Sequence, residues 1–65
     1  MNENNIPSAP FPVWIVIGVW QYEGADNLCV RFTEELANKA RDEAEKENRA
    51  GYDYFLIEKH WVGVT

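Results

Sequence analysis

The sequence predicts a small α+β domain with the element order strand, strand, helix, strand, and three observations carry that prediction. Val13 to Tyr22 is a β-branched and aromatic run that is apolar on both alternating faces. Thr33 to Gly51 is an acid-rich segment with a helical start and stop. Tyr52 to Val64 alternates with period two and is rich in aromatic and β-branched residues.

The chain of 65 residues holds one domain, read as residues 12–65 after a disordered or extended lead-in over residues 1–11. Pro7, Pro10 and Pro12 each remove a backbone donor and push the preceding residue away from helix. In the first strand, Val13, Ile15, Ile17 and Val19 fall on one face, and Trp14, Val16, Trp20 and Tyr22 on the other. A strand greasy on both sides belongs in the middle of a sheet. Glu23 to Asn27 gathers turn formers, so Leu28 to Phe32 closes a hairpin through a loop of about five residues.

Thr33 caps the helix, and Glu34 and Glu35 sit beside the positive end of its dipole. Glu35/Lys39, Asp42/Lys46 and Glu45/Arg49 are spaced for ion pairs one turn apart, and Gly51 is the expected stop. The apolar stripe is thin, made of Leu36, Ala37, Ala40 and Ala44, so the helix can lie close to a sheet. The helix returns the chain along the sheet, which sets strand three parallel to strand two and antiparallel to strand one. The expected architecture is a ββαβ layout: a three-stranded antiparallel or mixed sheet in the order 2-1-3, with one helix packed on one face.

Composition excludes several functions. The formal charge of −5 and the interleaving of Lys39, Arg41, Lys46 and Arg49 with acids argue against direct nucleic-acid binding, which draws on clustered cations. The longest apolar run, Val13 to Trp20, is far short of the roughly 20 residues that cross a bilayer, so no membrane role is expected. Cys29 is the only cysteine, so no internal bridge can form and a reducing cytoplasm is the expected location.

His60 is the single histidine and reads as a half-exposed strand residue rather than a general base. In the 2-1-3 order, strand one separates Cys29 from His60, so Cys29 is read as a small buried hydrophobe, not a nucleophile. One His and one Cys cannot supply a zinc site. Glu23 and Asp26 lack the alternating acid spacing of a dedicated calcium loop. No glycine-rich phosphate loop is present. No enzyme activity, metal or cofactor is expected.

One helix covers one face of such a sheet. The other face is expected to leave Trp14, Trp20 and Trp61 in water, and at about 25 cal/mol per Å² even roughly 300 Å² of apolar surface is worth several kcal/mol on burial. With Tyr22 as a further aromatic contact and Glu43 and Glu47 on the solvated helix face, these residues form the candidate protein-interaction set. The expected partner is a protein with a basic surface, or a second copy of the chain packed face to face. The competing reading is that the lead-in, with Ile6 and Phe11, folds over the open face.

The steps Trp20-Gln21-Tyr22-Glu23-Gly24, Phe32-Thr33-Glu34-Glu35, Ala37-Ala40-Ala44 and Tyr52-Asp53-Tyr54 resemble those of small uncharacterised strand-strand-helix-strand proteins, many of them encoded by bacteriophages. In size, acidity and element order the chain is also similar to phage inhibitors of host enzymes, including a small inhibitor of bacterial RNA polymerase. The resemblance implies a phage or mobile-element accessory protein that binds and modulates a host protein in the host cytoplasm.

Overall fold

The computed structural model describes residues 10–63. Its elements are β1 (Phe11–Trp20), β2 (Gly24–Arg31), α1 (Glu34–Glu47) and β3 (Tyr54–Val62). The sheet order is β2-β1-β3, and β1 is antiparallel to both neighbours. The doubly apolar strand is therefore the central one, as its pattern demands. The two edge strands run the same way without touching.

Several boundaries differ from the sequence expectation. β1 begins at Phe11, which pairs with Val62, so the end of the expected lead-in is already strand; the expectation for residues 1–9 lies outside the described residues. Pro12 is tolerated because of parity. The Val19 carbonyl accepts from the Asp53 amide at 2.8 Å, on the β3 side, so residues of the other parity, Pro12 among them, turn their backbone toward β2. The β2 ladder ends at Trp14↔Arg31, so no partner there misses the proline's amide hydrogen.

Residues expected in the hairpin loop are strand, since β2 already starts at Gly24 opposite Trp20. Gln21, Tyr22 and Glu23 alone make the connection, and Tyr22 leaves the strand for the loop. Within β2, Val16 faces Cys29 while Ile17 faces Asn27, so Leu28 is one residue too many: a β-bulge. Each bulge residue reverses the alternation beyond it. Cys29 and Arg31 accordingly share the face of Trp14 and Val16, and Val30 shares that of Ile15.

The helix begins as its sequence requires, with Thr33 Oγ1 accepting from the Leu36 amide at 3.1 Å and Glu34 and Glu35 in the first turn. It stops at Glu47 rather than running on to Gly51. Asn48 adopts a left-handed conformation (φ 28°) and its amide donates to the Ala44 carbonyl at 2.8 Å. Asn visits this region more cheaply than other side chains. The anticipated pairs one turn apart do not form; among the described residues the ion pair is Arg41 with Asp42, and His60 Nε2 lies within hydrogen-bond distance of Glu58 Oε1. Arg49 cannot join such a pair along the helix because it lies beyond the cap.

Ala37 is fully buried, and Ala40, Arg41, Ala44 and Asn48 follow it at helical spacing as the half-buried side of the helix. The segment leaving α1 lies on the Trp14, Val16, Gly18 and Trp20 side of β1, because the Trp20 indole donates to the Ala50 carbonyl at 3.2 Å and the Tyr52 ring covers Gly18. Val16, on that side, is completely buried. A right-handed β2-α1-β3 crossover puts the helix on this same face.

Candidate binding surface

The helix-bearing face is organised around a missing side chain. Gly18 is the one residue of its set on β1 without a side chain, and Tyr52 fills the hollow so closely that a methyl group built on Gly18 would come within 2.7 Å of the ring. Tyr52 was expected to start the third strand. Instead it precedes β3 and is tied down from several directions: Asn48 Oδ1 accepts from its amide at 2.8 Å, Asn48 Nδ2 donates to its carbonyl at 3.0 Å, and its hydroxyl donates to Asp26 Oδ2 at 2.8 Å. Its ring lies 4.4 Å from that of Trp20 and meets Phe55 edge-on at 5.5 Å. A single side chain thus joins β1, β2, β3 and the helix exit.

The bond to the Asp26 carboxylate, with smaller contributions from burial and from that negative charge, raises the Tyr52 phenol above its usual value of 10.0. The folded state prefers the protonated phenol. Its contribution to stability is fully present below about pH 10 and is lost as pH rises through the raised folded pKa. Melting temperatures followed from pH 8 to 11.5 are expected to fall more steeply above pH 10 for the native chain than for Tyr52→Phe. Parallel curves would show that the phenol is not coupled to folding.

Of the aromatic candidates, Trp14 and Trp20 are half-buried on this face and not set out in water as expected. The cause is the choice of face: the helix and its exit loop cover the tryptophan side of β1. The ammonium of Lys59 lies 5.5 Å from the Trp14 ring and 5.0 Å from that of Trp61, which itself remains 65% exposed near the end of β3. Tyr22 is exposed in the hairpin loop at the opposite end of the sheet. Trp61 pairs with Pro12 and Tyr22 follows Trp20, so about 26 Å of strand separates them. Glu43 and Glu47 are exposed on the helix. The six candidates do not form one surface.

A different set does converge. On the opposite side of β1, Phe11, Val13, Ile15, Ile17 and Val19 share a face with Val30 of β2 and with Tyr54, Leu56 and Val62 of β3. Phe32, just past β2, joins it through a ring contact with Phe11 at 6.3 Å. Val13 and Ile17 in the centre are buried, while Val30, Phe32, Tyr54 and Val62 around them are 47%, 69%, 50% and 45% exposed. Most of the exposed large apolar residues therefore lie on the side away from the helix. The sequence held a signal for this. Gly18 in the tryptophan set marks the side where another element must approach, which leaves the aliphatic set as the side that no described helix covers.

The same face carries Glu58 and His60, whose Oε1 and Nε2 lie 2.9 Å apart. Cys29 pairs with Val16 and His60 with Val13, so the two stand on opposite faces as well as on different strands. No thiol-imidazole pair can form. Asp26 is engaged by Tyr52, and among the described residues no three His, Cys, Asp or Glu side chains gather as metal ligands. No helix among them is long and apolar enough to cross a membrane. In comparison with known proteins, the chain matches no family model, no curated protein and no solved structure.

Proposed function

We propose that the protein is a non-catalytic binding module whose helix-free sheet face docks on another protein. The observation that carries this reading is the exposure of Val30, Phe32, Tyr54 and Val62 on one side of the sheet. Their apolar area is the source of affinity. The formal charge of −5, much of it from the helical acids including Glu43 and Glu47, speeds encounter with a basic surface. The opposite placement of Cys29 and His60 supports a role without chemistry. The setting we propose is the one the resemblance implies: a phage or mobile-element accessory protein that modulates a host protein in the cytoplasm.

Site-specific photocrosslinking tests the surface directly. A benzophenone amino acid placed at position 32 is expected to capture a bacterial protein at one-to-one stoichiometry, whereas the same group at position 43 is not. With the benzophenone moved to position 30, Phe32→Ser should weaken capture at least tenfold and change stability by no more than about 0.5 kcal/mol, because an exposed side chain supports little of the fold. Capture from position 43 alone would move the interface to the helix and sink this reading.

A further inference from the structure

The two edges of the sheet are unlike. β2 carries the Leu28 bulge, a device that disrupts an edge as a template for further pairing. β3 pairs with β1 in unbroken register from Val62↔Phe11 to Tyr54↔Val19, and no strand among the described residues lies along its outer side. The Val19 carbonyl and the Gln21 amide both bond to Asp53, on the β3 side, so odd-numbered residues of β1 bond toward β3. Their partners Tyr54, Leu56, Glu58, His60 and Val62 bond inward. The amides and carbonyls of Phe55, Ile57, Lys59 and Trp61 therefore point outward along a regular, exposed edge.

We infer that this edge pairs antiparallel with β3 of a second copy, about a two-fold axis at Lys59. In that register Glu58 of each copy lies opposite His60 of the other, Ile57 opposite Trp61, and Leu56 opposite Val62, each pair formed twice. Glu58 and His60 already meet at 2.9 Å within one chain, so pairing closes a four-membered acid-imidazole cluster on the helix-free face. The one like-charge contact is Lys59 with its counterpart. Each of these ammonium groups is drawn over its own Trp14 and Trp61 rings, which eases the repulsion. Neighbouring registers are poorer: moving the axis to Glu58 sets two carboxylates face to face, and moving it to His60 breaks both apolar pairs.

Area gives a second reason. Three strands about 4.8 Å apart and about 30 Å long present a flat face of roughly 430 Å², about half of what each partner buries in a standard protein-protein interface. A two-fold axis perpendicular to the sheet keeps both helix-free faces on the same side. The six-stranded sheet then offers roughly 860 Å², which reaches that standard. The pairing stands on the edge geometry and does not depend on the docking function, though it would complete that surface.

Sedimentation equilibrium combined with amide exchange tests it on the whole chain. At high micromolar concentration the mass is expected to rise from 7.5 kDa to twice that value. Over the same range the amides of Ile57, Lys59 and Trp61 should slow at least tenfold, while the inward amides of Leu56, Glu58 and His60 stay equally protected at every dilution. Lys59→Pro removes an outward donor and no β1 ladder bond, and should return a folded 7.5 kDa monomer. A native chain that stays monomeric at millimolar concentration overturns the inference. So does a dimer whose outward amides remain unprotected, since that dimer must use its faces. Either result leaves capture from position 32 free to succeed or fail independently.

Discussion

Gly18→Ala is expected to destabilise the protein by about 2 kcal/mol, within the usual 1–3 kcal/mol range for overpacking. The added methyl would lie 2.7 Å from Cγ and Cδ2 of Tyr52, closer than any real contact allows. An unrestrained ring would swing aside at little cost. This one is restrained by Asn48 at its backbone, Asp26 at its hydroxyl and Trp20 and Phe55 on its flanks, so yielding disturbs all of them. For a domain of this size total stability is about 3–10 kcal/mol, and each kcal/mol lost lowers the melting temperature by about 4–8 °C. Urea denaturation of Gly18→Ala, Tyr52→Ala and the double variant would measure the contact. Strong non-additivity is expected, because removing the ring removes the clash. A single variant as stable as the native chain would mean that the ring does not rest on Gly18.

Trp20→Ala should cost about 2–4 kcal/mol, somewhat less than truncation of a fully enclosed tryptophan. It loses the 4.4 Å ring contact with Tyr52 and the indole bond to the Ala50 carbonyl, which together hold the helix exit against the sheet. Trp20→Phe should recover most of the packing but not the hydrogen bond, leaving a deficit of about 1 kcal/mol. This makes Trp20 a poor probe of partner binding. Its truncation is expected to lower binding through a lower melting temperature and a loosened helix exit, whereas Phe32→Ser should lower binding in a chain that melts normally. If Trp20→Ala melts like the native chain and still fails to bind, the tryptophan face is the interface and the assignment of faces is reversed.

Two faces and two edges therefore have separate duties. The tryptophan face is tied to the helix exit through Tyr52, and the aliphatic face, with Val13 and Ile17 buried at its centre, is the one we propose meets a partner. The bulged β2 edge discourages pairing, and the regular β3 edge invites it. The acidic helix, with Glu43 and Glu47 exposed, adds charge and lies outside both of the proposed contact surfaces.

Much of the scaffold was legible in the residues. Apolar side chains on both sides of Val13 to Trp20 force that strand to the centre, and the order 2-1-3 follows from it. The Thr33 cap with its two following acids fixes where the helix starts. The helix stops short of the expected Gly51: two residues able to turn left-handed, Asn48 and Gly51, lie close together and propensity favours the glycine, but the side-chain bonds from Asn48 to Tyr52 decide between them. The predicted charge pairs were absent because exposed partners gain too little from each other to fix two long side chains.

Apart from the gap that Gly18 leaves in the tryptophan set, the candidate surface was not legible, and the reason is symmetry. Alternation tells which residues share a face but not which face is covered, and when both sets are apolar the sequence pattern is balanced. Two features that act only in three dimensions break the tie. The Tyr52 ring needs the hollow at Gly18, which draws the helix exit onto the tryptophan side. The extra residue Leu28 then turns Val30 and Phe32 to the other. Sequence alone determined the elements, their order and the central strand, because those follow from local periodicity and burial. Which side of the sheet faces outward was settled by one ring and one bulge, contacts between residues far apart along the chain.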